Sequence, residues 1–206
     1  MKRVLAFGPR CVPTHPRSPQ PPGFAQCAGR CKRWPLRLPE IYENMTQPLR
    51  LGLLSAMPEE IGSALSHLKN LSCSDHGDLR VHRGSWGDKV HLTLAWSGWG
   101  KVSAARAATR LLTSEPSIDL LIFTGVAGAA DSALSQWDVV LADALVQHDM
   151  DARPLFPRFT LPALKQDRLK PQPAWFNWAK TALLEAHSAG DLDGFARPSS
   201  GLIATG

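Results

Sequence analysis

Three times along this chain a short apolar run ends in a turn of small residues. "LGLL" at 51–54 runs into "SAMPEE", "KVHLTLAW" at 89–96 into "SGWGKV", and "LLIFTG" at 120–125 into "VAGAAD". An apolar run of this length bounded by turn residues reads as a strand buried in a sheet. Helical periods fill the intervals. Ile61, Ala64, Leu65 and Leu68 fall at i, i+3, i+4, i+7 after the first turn, and Pro58 suits the start of a helix there. Lys101–Thr113 forms a second helix with Ala104, Ala105, Ala108, Leu111 and Leu112 on its core face, ended by Pro116. "LRVHR" and "KVHLTLAW" flank "GSWGD" as two strands of a hairpin, with Val90, Leu92, Leu94 and Trp96 on one face. "DVVLADALV" is a third buried strand, and a Pro-rich loop covers roughly 154–173. A helix marked by Trp175, Trp178, Ala179, Ala182, Leu183 and Ala186 follows, and "GLIATG" opens one more strand. Strands alternating with helices predict an α/β layered fold with a largely parallel or mixed sheet. Ligands in such folds sit beyond the carboxyl ends of strands, so the three turns are where chemistry is expected.

The charge is divided unevenly. Residues 1–44 hold eight Lys/Arg and two acids, a surplus of +6, while residues 45–206 hold fifteen and sixteen, or −1. The folded part therefore has no basic stripe for a nucleic-acid backbone, and no apolar run reaches membrane-spanning length. Residues 1–44 also carry eight of the seventeen prolines, with stretches such as "CVPTHPRSPQPPGF" that suit neither a helix interior nor a central strand. Residues 1–48 are accordingly expected to be a disordered basic segment or, with Met45 as the true start, no part of the native protein. The folded unit is 49–206. Cys11, Cys27 and Cys31 lie in the first segment, where the Cys27–Cys31 pair has no second ligand pair nearby, so no metal is expected. Cys73, alone in the folded part, points to a reducing cytoplasm rather than a disulfide framework.

Each turn has an ordinary reading beside a chemical one. Glu59 and Glu60 suit the first turn of a helix, where acids complement the dipole. A carboxylate at a helix start beside a strand end is equally a candidate base facing a ligand. Glu60, next to the core residue Ile61, is the one expected to lean inward. "SGWGKV" lacks the spacing of a phosphate loop, so Lys101 is expected to be solvated, and Gly98 and Gly100 allow close approach of a ligand or another segment. Gly125 and Gly128 are read in the same way. His148 and Asp149 have no nucleophilic Ser or Cys motif to complete a triad, which favours an interface or packing role.

Taken together, "GLLSAMPEEI", "SGWGKVSAARAAT", "LLIFTGVAGAADSAL" and "DVVLADALVQHDMDA" resemble the 5′-methylthioadenosine/S-adenosylhomocysteine nucleosidases of the purine nucleoside phosphorylase superfamily. The resemblance runs from about Leu51 to Gly206. It implies a layered sandwich with a central mixed sheet flanked by helices, lacking its C-terminal strands and helices. It implies hydrolysis of the N-glycosidic bond of adenine thionucleosides, with no cofactor and no metal. The family's water-activating carboxylate falls on Glu60. Met57, Ser97, Gly98, Trp99, Val126, Ala127 and Gly128 fall on the substrate-lining positions. His148 and Asp149 fall at a homodimer interface, from which Ala152, Leu155 and Phe156 reach the neighbour's pocket. The implied partners are thus a small nucleoside, water and a second copy, with no nucleic acid and no membrane.

Four departures from the family pattern stand out. Pro58 replaces a usual Glu, Val126 stands where some members have Ser, and Trp137 replaces a common Gly. The Asp that protonates adenine, and the Met-Glu pair that holds the ribose hydroxyls, come after "GLIATG" in family order, so this chain is expected to lack the general acid. Two alternatives stay open. One is a phosphorolytic relative, disfavoured because no Arg occurs between Arg50 and Arg80 and Glu60 would repel phosphate. The other is a non-catalytic fragment.

Overall fold

The computed structural model describes Val4–Gly8 as backbone and residues 47–205 in full. Eight strands form one mixed sheet: β1 (Val4–Gly8), β2 (Leu49–Ser55), β3 (Lys69–His76), β4 (Leu79–Trp86), β5 (Val90–Trp96), β6 (Leu120–Thr124), β7 (Val140–Gln147) and β8 (Ser199–Thr205). Their order across the sheet is β3-β4-β5-β2-β6-β1-β7-β8. β2 lies at the centre, parallel to both β5 and β6, while β3, β4 and β5 form an antiparallel meander. β7 runs antiparallel to β1 and parallel to β8.

Two α-helices are present among the described residues, α1 (Lys101–Ser114) and α2 (Pro173–Ser188). Each closes a separate core. Leu49, Leu51, Val90, Leu92, Leu94, Leu120 and Leu141 pack with Trp175 and Ala179 of α2. Leu54, Leu79, Val81, Ala95, Ile118 and Leu121 pack with Ala107 and Leu111 of α1. Central strands feed both cores, which is why β2 and β5 read as nearly continuous apolar runs. No helix of the described residues is long and apolar enough to cross a membrane.

Local structure departs from the expected pattern in four places. No α-helix follows β2. The chain makes two short 3-10 turns, Pro58–Glu60 and Ala64–His67, separated at Gly62 with φ +58°. Ile61, Ala64, Leu65 and Leu68 still pack against the core, so the apolar spacing was met by turns rather than by a helix. β3 was not expected, because an edge strand exposed along nearly its whole length carries no hydrophobic signature. On α1, Leu111, Ala108 and Leu112 face the core as expected, but Ala107 is buried there and Ala105 is exposed. Finally, Val4–Gly8 lies inside the sheet, parallel to β6 and antiparallel to β7. "VLAFG" is the one apolar stretch in its surroundings and fits the strand slot. The segment 1–48 is therefore not wholly apart from the folded unit. The cysteines at 11, 27 and 31 and the intervening prolines lie outside the described residues.

Trp137, unexplained in the sequence, adopts φ +72°, a left-handed conformation that glycine reaches without strain. Its ring packs edge-on against Phe195 with centroids 6.4 Å apart, a contact no glycine could make.

Candidate active site

Because β2, β5 and β6 are parallel neighbours, their carboxyl ends fall on one edge of the sheet, and the turns after them meet. The pairing of β2 with β5 continues into the turns: the Ser97 N–H donates to Ser55 O at 2.8 Å and the Gly98 N–H to Ala56 O at 3.1 Å. Two buried hydroxyls shape the bends. Ser55 Oγ donates to Met57 O at 2.9 Å, and Ser97 Oγ donates to Gly98 O at 2.7 Å.

Glu60 joins the first turn to the third. Its Oε2 accepts from the N–H of Ala56 at 2.7 Å and of Met57 at 3.1 Å, folding the turn back on itself. Its Oε1 accepts from the Val126 N–H at 3.1 Å, across 66 residues of sequence. A Cβ on Gly125 would stand 3.1 Å from the same oxygen, so the buried glycine makes room for the carboxylate. A carboxylate offers about four lone-pair sites, and three main-chain donors leave one for a water or a substrate hydroxyl. Glu59, one residue earlier, is exposed. With only a three-residue turn behind it, there is no helix dipole for it to complement.

The fourth turn joins through an ion pair. Lys101 at the start of α1 bonds Asp149, two residues past β7. The Lys101 ammonium, and after it the Gln147 side chain, hold the Asp149 carboxyl below its usual value. Lys101 is thus not the freely solvated residue expected. A cation in a helix's first turn opposes the dipole, and that conflict was the available signal of an acidic partner.

The remaining candidates fall in two groups. Met57, Ser97, Gly98, Val126 and Ala127 lie on the joined turns with Gly128 just beyond, and Trp99 stands 76% exposed at their rim. His148, whose N–H donates to Thr205 O at 2.9 Å, and Ala152, Leu155 and Phe156 make no hydrogen bond to the Glu60 turn among the described residues. Leu155 is 83% exposed. Ser55 and Ala56, which supply main-chain groups to the junction, were not singled out by sequence, since main-chain donors have no residue signature.

A parallel sheet core with Glu60 set between two strand-end turns puts a fixed carboxylate where α/β folds hold their ligands. The Phosphorylase superfamily matches residues 50–206, and the chain belongs to that superfamily. Within it, the chain is similar to the 5′-methylthioadenosine/S-adenosylhomocysteine nucleosidase of Staphylococcus saprophyticus, 36% identical over 103 residues that make up 50% of this chain and 44% of that protein. It is also similar to the crystal structure of the S-adenosylhomocysteine nucleosidase of Streptococcus pyogenes in complex with 5-methylthiotubericidin. There the TM-score is 0.65 at 29% identity, covering 79% of this chain and 64% of that one. The nucleosidase of Colwellia psychrerythraea 34H in complex with adenine gives a TM-score of 0.65 at 27% identity, covering 78% and 63%. The chain thus spans less than half the length of the curated relative and under two thirds of these structures.

Proposed function

We propose that the Glu60 crevice hydrolyses the N-glycosidic bond of adenine thionucleosides, releasing adenine and a thioribose. The observation that carries this reading is the Glu60 carboxylate, fixed by three main-chain N–H groups at the junction of two strand-end turns. Its remaining lone pair orients a water toward the anomeric carbon. As the bond to adenine breaks, positive charge develops on the sugar. The water oxygen bonds to C1′, its proton passes to Glu60, and the bonding pair leaves with adenine, which takes a proton from an acid. The resemblance puts that acid after Gly206. Met57 lies in the pocket beside Glu60, Ser97, Gly98 and Trp99 line the ribose and thioether side, and Val126, Ala127 and Gly128 lie near the ribose and purine.

The relatives' names support the substrate class: both structural relatives are nucleosidases, one in complex with 5-methylthiotubericidin and one with adenine. The same reading makes the protein a cytoplasmic homodimer of methionine salvage. Exposed Trp99, Val102 and Leu155 supply apolar surface for a second copy, in which Ala152, Leu155 and Phe156 would approach the neighbour's crevice. The test is adenine release from methylthioadenosine by the protein extended through the acid motif. Release independent of added phosphate is expected. A rate proportional to phosphate would replace the reading with phosphorolysis, and no release would leave only the fold.

A further inference from the structure

A second site lies in the long loop between β7 and α2. Four cations, Arg158, Lys165, Arg168 and Lys170, line a cavity of about 450 Å³ together with a single acid, Asp167. Four charges against one leave +3 in one concavity, although residues 45–206 as a whole sum to −1. Elsewhere Arg80, Arg83, Lys101, Arg106, Arg110 and Arg153 are each paired with a carboxylate. None of the four cavity cations forms such a pair among the described residues. Asp151, whose carboxyl also feels Arg158, is already bonded to Arg153.

The backbone beneath these charges is pinned. The Leu169 N–H and C=O both bond to Leu145 of β7, at 2.9 and 2.8 Å, as one step of an antiparallel bridge. Arg168 and Lys170 flank Leu169, so in extended backbone they project to the same side. Leu161 N–H donates to Gln166 O at 2.9 Å and Lys165 N–H to Leu161 O at 2.8 Å, closing the loop that carries Lys165. The Arg158 guanidinium stacks 4.8 Å above the Phe159 ring, which occupies its face and leaves its edge donors free. Like charges gathered on a braced frame repel one another, and a ligand of opposite charge relieves that repulsion at little ordering cost.

We propose that this cavity binds a small phosphorylated molecule carrying two or more negative charges. Arg158 and Arg168 present planar forks matched to phosphate oxygens, Lys165 and Lys170 add point charges, and Thr160 and Gln166 add neutral donors. Four exposed cations around one open cleft, in a near-neutral protein, suit one or two phosphate groups rather than a nucleic-acid strand, which needs an extended basic track. The cleft shares no residue with the turns that hold Glu60.

The test is calorimetric titration of the full chain with inorganic pyrophosphate at two salt concentrations. Saturable binding is expected, weakening at higher salt. The exposed pair Lys165→Gln/Arg168→Gln should weaken it at least about tenfold, while Lys180→Gln on α2 leaves it unchanged. Circular dichroism of the double variant confirms that it stays folded. Absence of binding, or equal binding by the double variant, overturns the proposal. Binding of duplex DNA but not pyrophosphate, lost in the same variant, also overturns it in favour of a nucleic-acid surface.

Discussion

Glu60 joins two turns and is the proposed base, and substitution separates the two roles. Glu60→Gln keeps size but turns one oxygen into an N–H donor. Whichever way the amide faces, either Val126 or the Ala56–Met57 pair then meets a donor instead of an acceptor. A stability loss of about 1 kcal/mol is expected on thermal unfolding. In the extended protein, turnover should fall about 10²–10⁴-fold as the base is lost. Glu59→Gln, on an exposed side chain, should change stability by less than about 0.5 kcal/mol and leave turnover intact. Near-normal turnover in the Glu60 variant would sink the assignment of the base.

Between elements, two contacts invite measurement. The Lys101–Asp149 pair ties α1 to the end of β7. Lys101→Met should raise the Asp149 titration midpoint toward its usual value, read by carbon-detected NMR. The sign of the linkage follows from the lowered native pKa. The pair's stabilisation is complete above about pH 4 and is lost as pH falls through the native value. An unmoved midpoint in the variant would show the pair to be broken in solution. At Trp137 the left-handed backbone costs about 1–2 kcal/mol, and the contact with Phe195 returns a similar amount. Trp137→Gly removes both and should melt near the parent. Trp137→Ala keeps the strain without the ring and should melt lowest of the three. The opposite ranking of Gly and Ala would remove the strain account.

For the whole molecule, the sheet and the assembly make separate demands. Removing residues 1–44 takes β1 from between β6 and β7 and leaves both with unpaired edges. Each kcal/mol lost should lower the midpoint by about 2–4 °C in a chain of this size, and a drop of several degrees is expected. An unchanged midpoint would return the segment to the role its prolines suggested. Association should be visible by sedimentation at micromolar concentration, and Leu155→Asp should shift the population toward monomer, because it sets a charge on an 83% exposed side chain proposed to meet the second copy. A monomer at all concentrations would count against the dimer.

The local chemistry of the chain was enough to locate β2, the β4–β5 hairpin, α1, β6, β7 and α2, because burial on a sheet face or helix stripe imposes a period that side chains must obey. It was also enough to single out Glu60 over Glu59, through the neighbouring core residue Ile61. Other features depended on partners distant in sequence. The 3-10 turns replaced a helix because Gly62 bends the chain while Ile61, Ala64, Leu65 and Leu68 still reach the core. β1 found its place through main-chain pairing with β6 and β7, which no side-chain period records. Lys101 acquired Asp149 from 48 residues further along the chain, a contact only the folded structure makes. The hold on Glu60 came from main-chain N–H groups, one of them 66 residues away. Every residue except proline carries that donor, so its use is decided by geometry alone.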